Sequence, residues 1–358
     1  MSEFQVDLRF PIKVYNEDPF VYTGPDFRSL PMGLISDTLN HGGRQYQRLY
    51  PFTVTRSNVG GVVEDVLFSF MFTYINDDDE RSIYLTRLIP LSSSSGATAL
   101  DALIKEARLL AKYLGSSTVE IEVNAETSRY DAFPTSPSFL SYSKEGKSTF
   151  NPDVYGGLGF KEASCLLSLE ARIEDLYPLV KEKEVDSNKY DVFTESPTEY
   201  KGIKNYARNF PLRSYELTQN DEALGLYSLP FFEESCHTVR KQTGIILKQR
   251  SPKAYFRWIP DIFESSLEHR SPIPLLFYQE LEKHRYRIGK IYDWAFSEKD
   301  RNLMYLLLFQ AIRYMRDKGI ERIQFSNIPK ENKFVLDLLE TLGFESVSRT
   351  LILRGGIR

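Results

Sequence analysis

One order of elements occurs twice in this chain, and that repetition limits the possible folds more than any single motif does. In the first half ALDALIKEARLLAKYLG sets Leu100, Leu103, Ile104, Ala107, Leu110, Ala111 and Leu114 on one apolar stripe, the spacing of an amphipathic helix. Gly115 stands where such a helix needs a residue that tolerates the left-handed conformation in order to stop. TVEIEVN follows, alternating Val119, Ile121 and Val123 against Glu120 and Glu122, the period of a half-buried strand. In the second half LMYLLLFQAIRYMRDKG repeats the helix, with Met304, Leu307, Leu308, Ala311 and Met315 on one face; Gly319 ends it and IERIQF supplies the strand. Gly115 and Gly319 lie 204 residues apart, whereas Gly159 and Gly343, each followed by Phe, lie 184 apart. A polar insertion in the first half, 125–149, accounts for the difference.

The flanking segments extend the pattern. Apolar and aromatic runs at 47–56, 65–75 and 82–90, separated by Asn58, Gly60 and Gly61 and by NDDDER, read as three consecutive antiparallel strands. RIGKIYDWAF is the matching strand of the second half. NPDVYGGLGF followed by CLLSLEARI, and VLDLLETLGF followed by SRTLILR, each read as a short helix and a closing strand. The stretch up to Arg44, rich in Pro, Gly and Asp, reads as an extended arm with short helical pieces. A charged connector, EDLYPLVKEKEVDSNKYD, separates the halves, with the boundary near Pro178. A length of 358 residues suits two domains of about 150 to 200 residues, here 1–178 and 179–358. The expected class is mixed α+β (α/β), two domains each with a mostly antiparallel mixed sheet flanked by helices.

Composition narrows the functional classes. With 45 basic and 49 acidic residues interspersed, the net charge of −4 gives no steering toward nucleic acid. The 24 Phe and 22 Tyr sit mostly among apolar neighbours and read as core. Cys165 and Cys236 are too few for a disulfide framework, and His41, His237, His269 and His284 show no metal spacing, so no metal site is expected. The first residues lack the basic start and apolar run of a signal peptide, and no apolar run approaches the roughly 18 residues that span a bilayer. The expectation is a soluble cytoplasmic protein with no membrane partner.

The ordering carried by LTRLIPLSSSSGATALDALIKEARLLAKYLGSSTVEIEVN with VYGGLGF, and by IYDWAFSEKDRNLMYLLLFQAIRYMRDKGIERIQF with LLETLGF, resembles the GNAT acyltransferase superfamily. FPIKVYNEDP, NPDVYGGLGF and AYFRWIPDIFESSLEHRSPIP resemble segments of bacterial tandem GNAT proteins. The resemblance implies an acyl-coenzyme A donor, acetyl or longer, whose pyrophosphate meets a small-residue loop at a helix N-terminus. The family's loop reads Q/R-x-x-G-x-G/A. Here Ser94, Ser95, Gly96, Ala97 and Thr98 occupy it, keeping small side chains but one glycine and no leading Gln or Arg. The same serines also suit an ordinary helix N-cap. The second loop, from Ser297 to Met304, has no glycine and two acids, Glu298 and Asp300, which would repel a pyrophosphate.

The family's L-Y-x-x-x-G-F pattern places a proton-donating tyrosine at Tyr155 in the first half; Leu339 stands there in the second. Glu120 and Glu122 are candidate bases, Glu122 the one assigned here, although alternating glutamates also read as the solvated face of a strand. Asp293, interrupting an apolar strand, is either a functional carboxylate or a hydrogen-bonded structural one. The implied function is an N-acyltransferase working from the first half on a small-molecule or peptide amine. The alternative is a catalytically silent tandem scaffold that binds a ligand or protein between its halves. A third option, transfer from aminoacyl-tRNA, lacks a basic stripe to support it.

Overall fold

The repeated helices form where their apolar stripes can be buried against strands that lie close in sequence. A computed structural model describes residues 4–7, 50–57, 61–75, 81–90, 96–127, 152–182, 190–194, 210–213, 244–249, 251–260 and 287–357. The first half runs β1 (Phe4–Asp7), β2 (Tyr50–Ser57), β3 (Val63–Ile75), β4 (Arg81–Pro90), α1 (Ala97–Tyr113), β5 (Thr118–Thr127), α2 (Pro152–Gly157) and β6 (Phe160–Arg172). After α3 (Ile173–Glu182) come β7 (Asp191–Thr194), β8 (Leu212–Arg213), β9 (Gly244–Gln249), β10 (Ser251–Pro260) and β11 (Ile288–Phe296). The chain then runs through α4 (Arg301–Asp317), β12 (Arg322–Pro329), α5 (Lys333–Thr341) and β13 (Glu345–Gly356). Both long helices have 17 residues. Gly115, Gly319, Gly159 and Gly343 all take positive φ, between 68° and 85°, as glycines that end helices do. Among the described residues no helix is long and apolar enough to cross a membrane.

The strands of both halves join in one sheet, ordered β1-β2-β3-β4-β5-β13-β6-β12-β11-β10-β9-β7, with β8 attached to β11. From either end, five strands of one half are followed by the closing strand of the other. β13, which follows α5, runs antiparallel along β5 from Thr118 to Thr127. β6, which follows α2, runs antiparallel along β12, and the two closing strands pair with each other at the centre. Each exchanged contact carries an ion pair. Arg354 of β13 donates from Nε to Oε1 of Glu120 at 2.6 Å, and Arg322 of β12 binds Glu170 of β6. Both carboxylates are buried, so losing the arginine would leave a buried charge without its guanidinium.

Two apolar cores follow from this exchange. The first packs the buried face of α1 with Val119, Ile121, Val123, Tyr155 and, from β13, Leu351 and Leu353. The second packs α4 and α5 with Trp258, Trp294 and Phe325, and it includes Leu169 and Ala171 of β6. The charged connector expected around Pro178 is helical in its first part. Ile173, Leu176 and Val180 of α3 enter the second core, Tyr177 stacks on Phe309 with ring centroids 5.8 Å apart, and Arg316 lies over the Tyr177 ring at 4.1 Å. That apolar burial holds the helix despite the amide hydrogen that Pro178 lacks. A division near Pro178 is therefore a proposal about the chain alone, because in space β6 and β13 each sit among strands of the other half.

Candidate active site

A parallel strand pair whose pairing stops partway leaves main-chain edges that the partner strand does not cover, and both halves contain one. β4 and β5 pair from Ser82 opposite Thr118 to Leu85 opposite Ile121. The closed end is pinned by the two hydroxyls, Ser82 Oγ and Thr118 Oγ1, 2.6 Å apart. Past Leu85, β4 stays with β3 and β5 stays with β13. The parting coincides with a bulge, since the register of β4 on β3 shifts between Phe70 opposite Thr86 and Phe68 opposite Ile89. An extra residue bends its strand and re-aims it, which turns β4 away from β5. The second half repeats the device: β11 and β12 pair from Ile288 opposite Arg322 to Ile291 opposite Phe325, and β11 then bulges between Ile291 and Asp293 on β10.

The helices that follow β4 and β11 begin differently. α1 is capped by Gly96, in extended conformation and with no side-chain hydrogen bond to the first turn. Gly96 stands at the N-cap, and Ser94 and Ser95, the serines that also suit a cap, lie outside the described residues. Ala97 and Thr98 are exposed at its start, whereas Ala99 and Leu100 are buried. This helix start therefore presents main-chain amides with no acid from its cap and none in its first turn. α4 is capped by Asp300, whose Oδ1 accepts from the Asn302 amide at 2.9 Å. There the helix start is satisfied by its own carboxylate.

Tyr155 is buried in α2 and shares the first core with Val119, Ile121 and Val123, the β5 residues that flank the parting point. α2 is held at its C-terminal end by Arg108 of α1, whose Nη2 donates to the Leu158 carbonyl at 2.6 Å and whose guanidinium lies 5.4 Å from the Phe160 ring centre. Nothing in the sequence distinguished Arg108 from a solvated helix residue. At the equivalent positions of the second half stand Leu339 and Ile312, both fully buried and apolar. The tyrosine and the arginine that braces its helix occur together in one half and are absent together from the other.

Glu120 departs from the solvated-face expectation: it is 1% exposed, because β13 brings Arg354 against it. Glu122 lies on β5 opposite Ile352 of β13, just past the parting point; its side chain is outside what the structure describes. The same holds for Asp293, opposite Arg257 in β10. The four histidines and Cys236 also lie outside the described residues, and Cys165 is a buried free thiol. Among the described residues no cluster of three or more His, Cys, Asp or Glu is placed to hold a metal.

The sequence matches no protein-family model and no curated protein. Solved structures do match. A tandem GNAT protein from the clavulanic acid biosynthesis pathway aligns over 99% of this chain and 99% of its own, at 13% identity and a TM-score of 0.55. A GCN5-related N-acetyltransferase from Sphaerobacter thermophilus aligns over 99% and 96%, at 10% identity and 0.52. A glucosamine N-acetyltransferase region of a fungal multi-domain GH3 beta-N-acetylglucosaminidase aligns over 99% of this chain and 38% of that one, at 14% identity and 0.55. At these identities the likeness establishes the fold, two GNAT-like domains of mixed α+β structure.

Proposed function

We propose that this GNAT-fold chain is an N-acyltransferase that takes acyl-coenzyme A in the first half's opening and transfers the acyl group to a small-molecule or peptide amine. The observation that carries the reading is the pairing of a parted strand edge on β4 with a helix start whose cap is a glycine. A pyrophosphate needs main-chain amides and close approach, which Gly96, Ala97 and Thr98 offer, with Ser94 and Ser95 completing the loop. The parted edge suits the extended, amide-bearing arm that joins that pyrophosphate to the thioester. The acceptor nitrogen then attacks the thioester carbonyl; a C–N bond forms and the C–S bond breaks. The Tyr155 hydroxyl gives its proton to the departing thiolate, and Glu122 takes the proton of the attacking amine. Cytoplasmic acyl-coenzyme A is the expected donor pool.

Calorimetry with acetyl-coenzyme A and longer acyl donors tests the reading, together with thiol release across a panel of amines. Heat with at least one donor supports it; no heat with any donor removes it. The Asp300 cap on α4 and the apolar Leu339 at the position of Tyr155 favour a silent, scaffold-like role for the second half. A thermal shift with some other metabolite and none with coenzyme A would extend that role to the whole chain.

A further inference from the structure

β11 has two edges, and their occupants can be assigned one by one. β10 lies along one edge through Ala295 and Phe296, opposite Tyr255 and Ala254. β12 takes the other edge as far as Ile291. β8 pairs antiparallel with β11 at those same two residues, Arg213 opposite Ala295 and Leu212 opposite Phe296. It therefore lies on the edge that β12 leaves, inside the second half's opening. Pro211 has no amide hydrogen to donate and biases Phe210 toward extended backbone, which keeps this insert short. The Leu212 side chain is buried in the second core with Ile291, Trp294, Phe325 and Ile328. On the far side of the gap, Asn332, just past β12, donates from Nδ2 to the Arg213 carbonyl at 3.1 Å. Trp294 reaches across as well, its Nε1 placed 3.4 Å from the Ser326 carbonyl of β12. The insert is thus held from both sides, by β11 and by Asn332. In the first half, among the described residues, no segment pairs with the corresponding edge of β4 beyond Leu85.

We propose that residues 210–213 are a built-in occupant of the second opening, a peptide stand-in for the extended arm of an acyl donor, which shuts that half to acyl-coenzyme A. The proposal rests on the reading of the first opening as the donor site. Its chemistry is that of an added strand: main-chain hydrogen bonds supply the hold, and one buried side chain supplies the fit. Such an insert also removes an exposed edge that would otherwise invite pairing with another chain.

Hydrogen exchange on the full chain, with and without coenzyme A, tests it. Peptides covering 292–296 are expected to exchange slowly in both conditions, and peptides covering 86–90 to slow only when coenzyme A is added. Leu212→Gly, and separately the milder Asn332→Ala, should speed exchange at 292–296 by about tenfold or more and leave 86–90 unchanged. Native mass spectrometry should show one coenzyme A per chain. Fast exchange at 292–296 in the unmodified protein, further slowing there with coenzyme A, or a second bound coenzyme A would overturn the proposal. If coenzyme A changes nothing anywhere while 292–296 stays slow and responds to both substitutions, the occupant stands and the donor-site reading falls.

Discussion

The two openings share a backbone plan and differ in what meets them. Each begins where a parallel pair of strands parts at a bulge, and each leads to a helix of 17 residues ended by a left-handed glycine. In the second half Asp300 caps the helix, an indole spans the gap, a two-residue strand lies along the free edge, and Leu339 stands where a tyrosine would be. In the first half the cap is Gly96 and the tyrosine is present. A fold that positions main-chain groups for a ligand does not by itself make a ligand site. The same groups can be satisfied from within the chain, and then the element is a structural part and nothing more.

Substitutions that move one half toward the other probe this contrast. The largest effect is expected for Tyr155→Phe, which should lower turnover by at least about a hundredfold with donor affinity unchanged. Leu339→Met, similar in volume, should leave turnover as it was; steady-state thiol release checks both. An equal loss from the two would erase the difference between the halves. Arg354→Ala leaves the Glu120 carboxylate buried without its guanidinium and should cost about 3 kcal/mol of unfolding free energy, measured in urea. This is the low end for a broken buried pair, since the Arg354 side chain is 34% exposed. Arg322→Ala should cost a similar amount, because its partner Glu170 is buried in the same way on the other exchanged strand.

Gly96→Asp transplants the second half's cap onto α1. It should weaken acyl-coenzyme A binding by about tenfold, read by calorimetry, through like charge at the helix start. The converse, Asp300→Ala, should cost about 1 kcal/mol of stability and leave donor binding intact. The smallest effects are expected for Gly115→Ala and Gly319→Ala. Each should cost about 1 kcal/mol in thermal unfolding, because alanine resists their φ of 68° and 79°. A much larger loss at one of them would show that the two helices do not end by the same device.

Much of the scaffold is legible in the sequence. The apolar residues Leu100, Leu103, Ile104, Ala107 and Ala111 are all buried in α1, at the spacing that marked them in the chain. The helix-ending glycines and the order of strand and helix were equally plain. The site was less legible. The family pattern around Gly159 and Phe160 points to Tyr155 as a candidate, but Arg108, which braces its helix, looks like any other cation in KEARLLA. Glu120 read as solvated because its strand alternates, and only β13 explains its burial. FPLRS carried no sign, beyond one proline, that two of its residues would lie inside an opening built some 80 residues later in the chain.

The sequence by itself determined the local elements, their ends and the repeated order, because helix and strand periods and left-handed glycines are properties of neighbours a few residues apart. Only the tertiary structure decided that the closing strands change places, that Arg354 meets a glutamate 234 residues away, and that one opening is filled from within. Strand pairing joins main-chain groups that every residue carries, so an apolar strand names its face but not its neighbour. The choice of neighbour falls to burial and charge pairing across the assembled sheet.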